Sequence, residues 1–144
     1  MPRFMLLVKG DVPAGFLPSP EMIETMNKYN EELAKAGVLI DLSGLKPSSE
    51  GARVQFSKGK RTKVIDGPFA ESKEIVAGYW IIDVKSMEDA IEWAKRAPME
   101  PSPEFGDQEP VIEVRPYFEL EELGDNPAID RARELGKELD KRKA

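Results

Sequence analysis

Twice along this chain the apolar pattern switches from strand to helix and back. That pair of strand–helix–strand runs restricts the fold more than any single residue does. The first run opens with the apolar stretch Phe4–Lys9, "FMLLVK", suited to a buried central strand, and leaves it through the Gly/Pro loop "GDVPAGFLPSP". Ser19-Pro20-Glu21 then reads as a helix start, with serine at the N-cap, proline at the first helical position and an acid in the first turn. Met22, Met26, Tyr29 and Leu33 recur at helical spacing with Ile23 and Ala36 beside them, and Gly37 closes the helix. Val38–Leu45 follows as a strand, with a kink expected near Ser43-Gly44.

The second run begins with "GYWIIDV", Gly78–Val84. Ser86-Met87-Glu88-Asp89 is a capping box that launches a helix to about Ala97, with Ala90, Ile91 and Ala94 facing inward and Pro98 as the stop. Pro98–Pro110 holds four prolines and is expected to be irregular; Val111–Arg115 is the last strand, ended by Pro116. Between the two runs, Ala52–Ser57 alternates Val54 and Phe56 with Arg53 and Gln55, and Lys58-Gly59-Lys60 turns it back into "RTKVID". After them, Asn126-Pro127 caps a C-terminal helix with an apolar stripe of Ile129, Ala132, Leu135 and Leu139.

The order is β-α-β-β-α-β with an extra hairpin and a C-terminal helix, an α+β fold. The expected division is 1–118 as the domain and 119–144 as its helical extension. Such a sheet has helices on one face only. Phe4, Leu6, Tyr79 and Ile81 are expected to supply the other face, and a second copy of the chain is its cheapest cover, giving a two-fold dimer. The C-terminal stripe can either clasp that partner or pack on its own domain.

Composition narrows the chemistry. The 144 residues contain no cysteine and no histidine, which excludes disulfides, thiolate nucleophiles, zinc–cysteine sites, Ser-His-Asp catalysis and histidine-ligated metals. Acid–base work falls to carboxylates, lysine, tyrosine or water, and no metal and no cofactor is expected. A net charge of -6 argues against nucleic acid as a partner, despite the basic Lys58, Lys60, Arg61 and Lys63. No apolar run reaches the roughly 20 residues of a membrane span, and no targeting signal is visible, so a cytoplasmic location is expected.

Five stretches, "FMLLVKGD", "GLKPS", "VIDGPFAESKE", "GYWIIDVKSMEDAIEWAKRAP" and "IEVRPYFE", together resemble the YCII-related, or DGPF-domain, family, in the family's order from about Arg3 to Phe118. The resemblance implies a ferredoxin-like fold, a homodimer of the dimeric α+β barrel type and a cleft beside the sheet. Some relatives resemble regions fused to sigma factors of the extracytoplasmic-function type. Others are enzymes that process small aromatic compounds with a His–Asp pair, a mechanism this chain lacks the histidine to run.

The polar residues of "VIDGPFAESKE" admit two readings. Asp66-Gly67-Pro68 suits a sharp chain reversal with Phe69 plugging the core. Alternatively, Asp66 stands at a cleft mouth as a general base. Glu71 and Lys73, two apart in an extended segment, would point the same way and line a pocket, Glu71 orienting the catalytic group and Lys73 binding an anion. Glu113 and Arg115 share one face of the last strand. Arg115 can grip a carboxylate bidentately or pair with Glu71 or Asp66. Tyr79 and Trp80 face opposite ways, one to the core and the other available as an aromatic wall. The expected site is therefore Asp66 and Glu71 for catalysis, with Lys73, Arg115, Tyr79 and Phe69 for ligand binding. The rival expectation is a sensing or protein-interaction module in which the DGPF stretch is a clasp.

Overall fold

The computed structural model describes residues 1–57, 60–99 and 109–143. Strands β1 (Arg3–Lys9), β2 (Leu39–Gly44), β5 (Val76–Asp83) and β6 (Val111–Pro116) form one antiparallel-paired sheet in the order β2-β5-β1-β6. Helix α1 (Pro20–Lys35) connects β1 to β2 and helix α2 (Met87–Lys95) connects β5 to β6. Each crossover skips one strand, so the two β-α-β units interlock; this is the ferredoxin-like α+β arrangement. Among the described residues, strands β3 (Ala52–Ser57) and β4 (Lys60–Asp66) pair only with each other, and a further helix, α3 (Pro127–Lys143), follows β6.

Both crossover helices start where their caps dictate. Ser19 Oγ accepts the Met22 N–H at 3.1 Å with Pro20 at the first position, and Ser86 Oγ accepts the Asp89 N–H at 3.2 Å. Gly37, at φ +74°, ends α1 in the left-handed region that favours glycine. The core lies between these helices and one face of the sheet: Phe4, Leu6, Trp80, Ile82 and Val84 pack against Tyr29, Leu33 and Ala90.

Register corrects one expectation. Phe4 lies opposite Ile82 and Leu6 opposite Trp80, so all four share the helix-covered face. The open face instead carries Met5 and Leu7, opposite Ile81 and Tyr79. An alternating strand buried mainly on one face puts its largest apolar side chains there, and the run "FMLLVK", apolar on both faces, does not say which face that is. In α2, Met87, Ala90, Trp93 and Ala94 turn to the core while Ile91 is left exposed, because one residue along a helix is a 100° rotation. The irregularity of β2 falls between Leu39 and Asp41, not at Ser43-Gly44. The expected turn at Lys58-Gly59 and most of the proline-rich excursion (100–108) lie outside the described residues.

Candidate functional site

Three loops meet beyond the C-terminal end of β1. Asp11, just past that strand, accepts hydrogen bonds from the Ser48 N–H at 2.9 Å, the Ser48 hydroxyl at 2.5 Å and the Val12 N–H at 3.0 Å. Burial pushes the Asp11 carboxyl up, but these donors outweigh it and hold the group below its usual range. Ser48 is buried at the head of a short 3-10 turn, Ser48–Glu50, and its hydroxyl oxygen in turn accepts the Phe69 N–H at 3.1 Å. The DGPF turn is thereby tied to both other loops. The Gly67 N–H also donates to the Gly51 carbonyl at 3.0 Å.

Gly67 is required by space. A Cβ there would stand 1.7 Å from the Ser48 carbonyl oxygen, against backbone that cannot rotate away. Phe69 is half-buried outside the main core and carries the Arg53 guanidinium 3.8 Å above its ring, a cation–π stack. It therefore plugs the clasp and not the core. Asp66, Glu71 and Lys73 are exposed. Ser72–Glu74 is a 3-10 turn, with the Glu74 N–H donating to the Glu71 carbonyl at 3.0 Å, so Glu71 and Lys73 do not occupy the extended segment expected of them. Pro68 removes one backbone donor just ahead of this turn, and the residues after it close the chain on itself.

The other expected residues lie on the open face of the sheet. Tyr79 is half-buried there, opposite Leu7 on β1 and Ser43 on β2, while its neighbour Trp80 is in the core with its indole N–H on Asn30 Oδ1 at 2.7 Å. Arg115 lies opposite Met5 and pairs with Glu113 on its own strand at 3.2 Å, not with Glu71 or Asp66. The row of Met5 and Arg115 stands four residues along β1 from Lys9, about 13 Å from the end of the strand that the DGPF loops adjoin. The structure thus brings Tyr79 and Arg115 onto one surface and leaves Asp66, Glu71, Lys73 and Phe69 grouped at its far end.

The open face holds further groups that sequence reasoning missed. Arg3 lies over the Tyr117 ring at 4.7 Å and pairs with Glu119 at 3.4 Å. Burial raises the Tyr117 phenol above its usual range; Arg3 opposes the rise, and the nearby Tyr79 and Asp41 add to it. Tyr117, Asp11 and Ser48 all stand in the stretches "IEVRPYFE", "FMLLVKGD" and "GLKPS", so the signal for them was present as motif and not as chemistry. A separate open groove of about 350 Å³ lies at the opposite end of the sheet, beside α2, lined by Asp83, Asp89, Trp93 and Arg96 among others. None of the six expected site residues lines it. No described helix is long and apolar enough to cross a membrane.

A model of the YCII-related domain matches residues 3–117 of the chain. The chain is also 33% identical over 74 residues to a protein of Rhizobium meliloti (strain 1021) that is named only as an uncharacterized protein. That match covers 51% of this chain, which spans 59% of the relative.

Proposed function

The chain belongs to the YCII-related family, and from that premise and its open sheet face we propose that it is a homodimer that binds a small anionic or aromatic molecule. The observation that carries this reading is the composition of that face. Met5, Leu7 and Ile81 form a half-buried apolar strip with no helix over it among the described residues, bordered by Tyr79, Tyr117, Glu113 and Arg115. An apolar strip on a sheet that has helices on its other side is the surface a second copy would cover, sheet to sheet. The phenols and the guanidinium at its border suit a planar carboxylate: Arg115 would exchange Glu113 for the ligand, and Tyr79 would stack on it.

In this reading Phe69 and Lys73 line the mouth of the cleft, and any proton transfer would use Asp66 oriented by Glu71. The reading stops at binding, because both carboxylates are exposed and neither has been brought beside Arg115. A thermal-shift screen with benzoate and phenol tests it. A stabilised wild type, with the benzoate shift abolished in Arg115→Ala and the phenol shift retained, is the expected pattern. Equal shifts in wild type and variant would remove Arg115 from the site. Asp66→Asn should leave the benzoate shift intact.

One observation favours a second reading, a non-catalytic sensing or protein-interaction module of the kind linked to sigma-factor regulation. The buried Ser48 and the close approach of the Gly67 backbone to the Ser48 carbonyl give the DGPF turn an internal structural task. Turnover of any small aromatic substrate that is lost in Asp66→Asn, with the melting temperature unchanged, would rule that second reading out.

A further inference from the structure

The row of paired residues that crosses the open face from Arg115 ends on a carboxylate. Arg115 on β6 lies opposite Met5, Met5 opposite Ile81, and Ile81 opposite Asp41 on the edge strand β2. Asp41 shares the open face, because its Oδ2 accepts the Tyr79 hydroxyl at 3.5 Å and Tyr79 points that way. This contact is at the long limit of a hydrogen bond, so Oδ2 keeps room for a closer donor. The other oxygen, Oδ1, is taken by the Leu42 N–H at 2.9 Å. A second phenol stands nearby: Tyr117 lies near both Tyr79 and Asp41, with the Arg3 guanidinium 4.7 Å from its ring centre. Strands β2 and β5 and the residue after β6 thus gather two phenols about one carboxylate.

Dimension and chemistry define what fits between the two ends. The strand order β2-β5-β1-β6 puts Asp41 and Arg115 three strand spacings apart, about 14 Å between backbones. Side chains stand roughly perpendicular to a sheet, so the polar ends keep about that separation. A hydrogen bond of about 2.8 Å at each end leaves roughly 8 Å, the length of one benzene ring with a polar group on either side. The floor beneath, Met5 and Ile81, is apolar and half-buried, which suits the ring. A carboxylate only accepts hydrogen bonds whereas a phenol both donates and accepts, so the Asp41 end matches a hydroxyl that donates to Oδ2 and accepts from a tyrosine. We propose that the ligand of the open face is a benzoate with a hydroxyl para to its carboxylate, the carboxylate on Arg115 and the hydroxyl on Asp41. In the proposed dimer the ring lies between the two sheets. Asp41 becomes the residue that selects the far end of the ligand, a role that rests on the proposed binding of the carboxylate by Arg115.

Isothermal titration calorimetry of the full chain with benzoate, 4-hydroxybenzoate, 3-hydroxybenzoate and 4-methoxybenzoate tests the assignment. 4-Hydroxybenzoate should bind about tenfold or more tighter than benzoate, the gain of a hydrogen bond to a charged acceptor. The 3-hydroxy isomer, whose hydroxyl leaves the row, and the 4-methoxy ether, which has no proton to donate, should bind no tighter than benzoate. In Asp41→Ala the ratio of the benzoate to the 4-hydroxybenzoate dissociation constant should fall to about one. Asp41 is exposed on an edge strand, so this variant removes the acceptor without opening the core. Equal affinity for benzoate and 4-hydroxybenzoate in the wild type overturns Asp41 as the selecting residue and leaves the carboxylate site at Arg115 standing. So does a ratio that survives in Asp41→Ala, or a 3-hydroxy isomer or 4-methoxy ether that binds as tightly as 4-hydroxybenzoate. If none of the four carboxylates binds, the proposed function itself fails and the role of Asp41 falls with it.

Discussion

At Gly67 the absence of one methyl group sets the path of the chain. A Cβ would meet the Ser48 carbonyl oxygen at 1.7 Å and the Ser49 nitrogen at 3.3 Å, and both belong to backbone already held by Asp11. Gly51 provides the control. Its backbone is extended at φ -106°, and a Cβ there would lie in ordinary contact with the same carbonyl, at 3.5 Å. Gly67→Ala is therefore expected to cost about 1–3 kcal/mol of unfolding free energy, the range of overpacked sites. Gly51→Ala should stay within about 0.5 kcal/mol of wild type. Denaturant titration of the two variants measures the difference, and equal values would mean that the turn does not press on Ser48. The comparison also separates the two halves of the motif. Asp-Gly-Pro-Phe answers to the geometry of three loops, while Glu71 and Lys73 after it answer to solvent.

Between elements, α1 is joined to α2 by the Glu32–Arg96 ion pair at 2.6 Å and, from the core side, by Tyr29. Its hydroxyl donates to the Trp93 carbonyl at 2.7 Å and its ring meets Trp80 edge-on at 5.1 Å between centroids. Burial pushes the phenol up to about 12; Arg96 opposes the rise and Glu32 adds to it. A native pKa raised above the unfolded value near 10 gives stability that is fully present below pH 10 and is lost as pH climbs toward 12. Tyr29→Phe should cost about 1 kcal/mol at neutral pH through the lost hydrogen bond. Because the variant has no proton to lose at this position, its deficit should shrink between pH 10 and 12, read as the difference between two denaturation series. A constant deficit across that range would mean that Tyr29 ionises as freely in the fold as out of it. The helices themselves were legible in the sequence because caps and glycine stops are local: Ser19-Pro20, Gly37 and Ser86 act within a turn of where they stand. Partners across the sheet were not. Whether Arg115 meets Glu71 or Glu113 depends on strand register and on the 3-10 turn at Ser72–Glu74, and neither leaves a local mark. Asp11 and Ser48 are 37 residues apart and look like ordinary loop residues until the fold brings them together.

For the whole molecule, the two neighbouring isoleucines of β5 test fold and assembly separately. Ile82 is fully buried on the helix face opposite Phe4, and Ile81 is half-buried on the open face opposite Met5. Successive strand residues point to opposite faces, so a glutamate at each position probes a different surface with the same charge and volume. In Ile82→Glu the carboxylate has no partner among Phe4, Leu33 and Trp80, and burying it unpaired costs more than a domain of this size has to spare. That variant is expected to be unfolded by circular dichroism at 25 °C. In Ile81→Glu the carboxylate reaches water in a single chain, so helix content and cooperative unfolding should persist. Against a second sheet, however, the same charge would be trapped at the centre of the contact. Sedimentation of Ile81→Glu at the mass of one chain, with wild type at two, is the expected result if the open face is the dimer surface. A folded Ile81→Glu at the wild-type mass would move the dimer contact elsewhere on the molecule and leave the open face to the ligand alone.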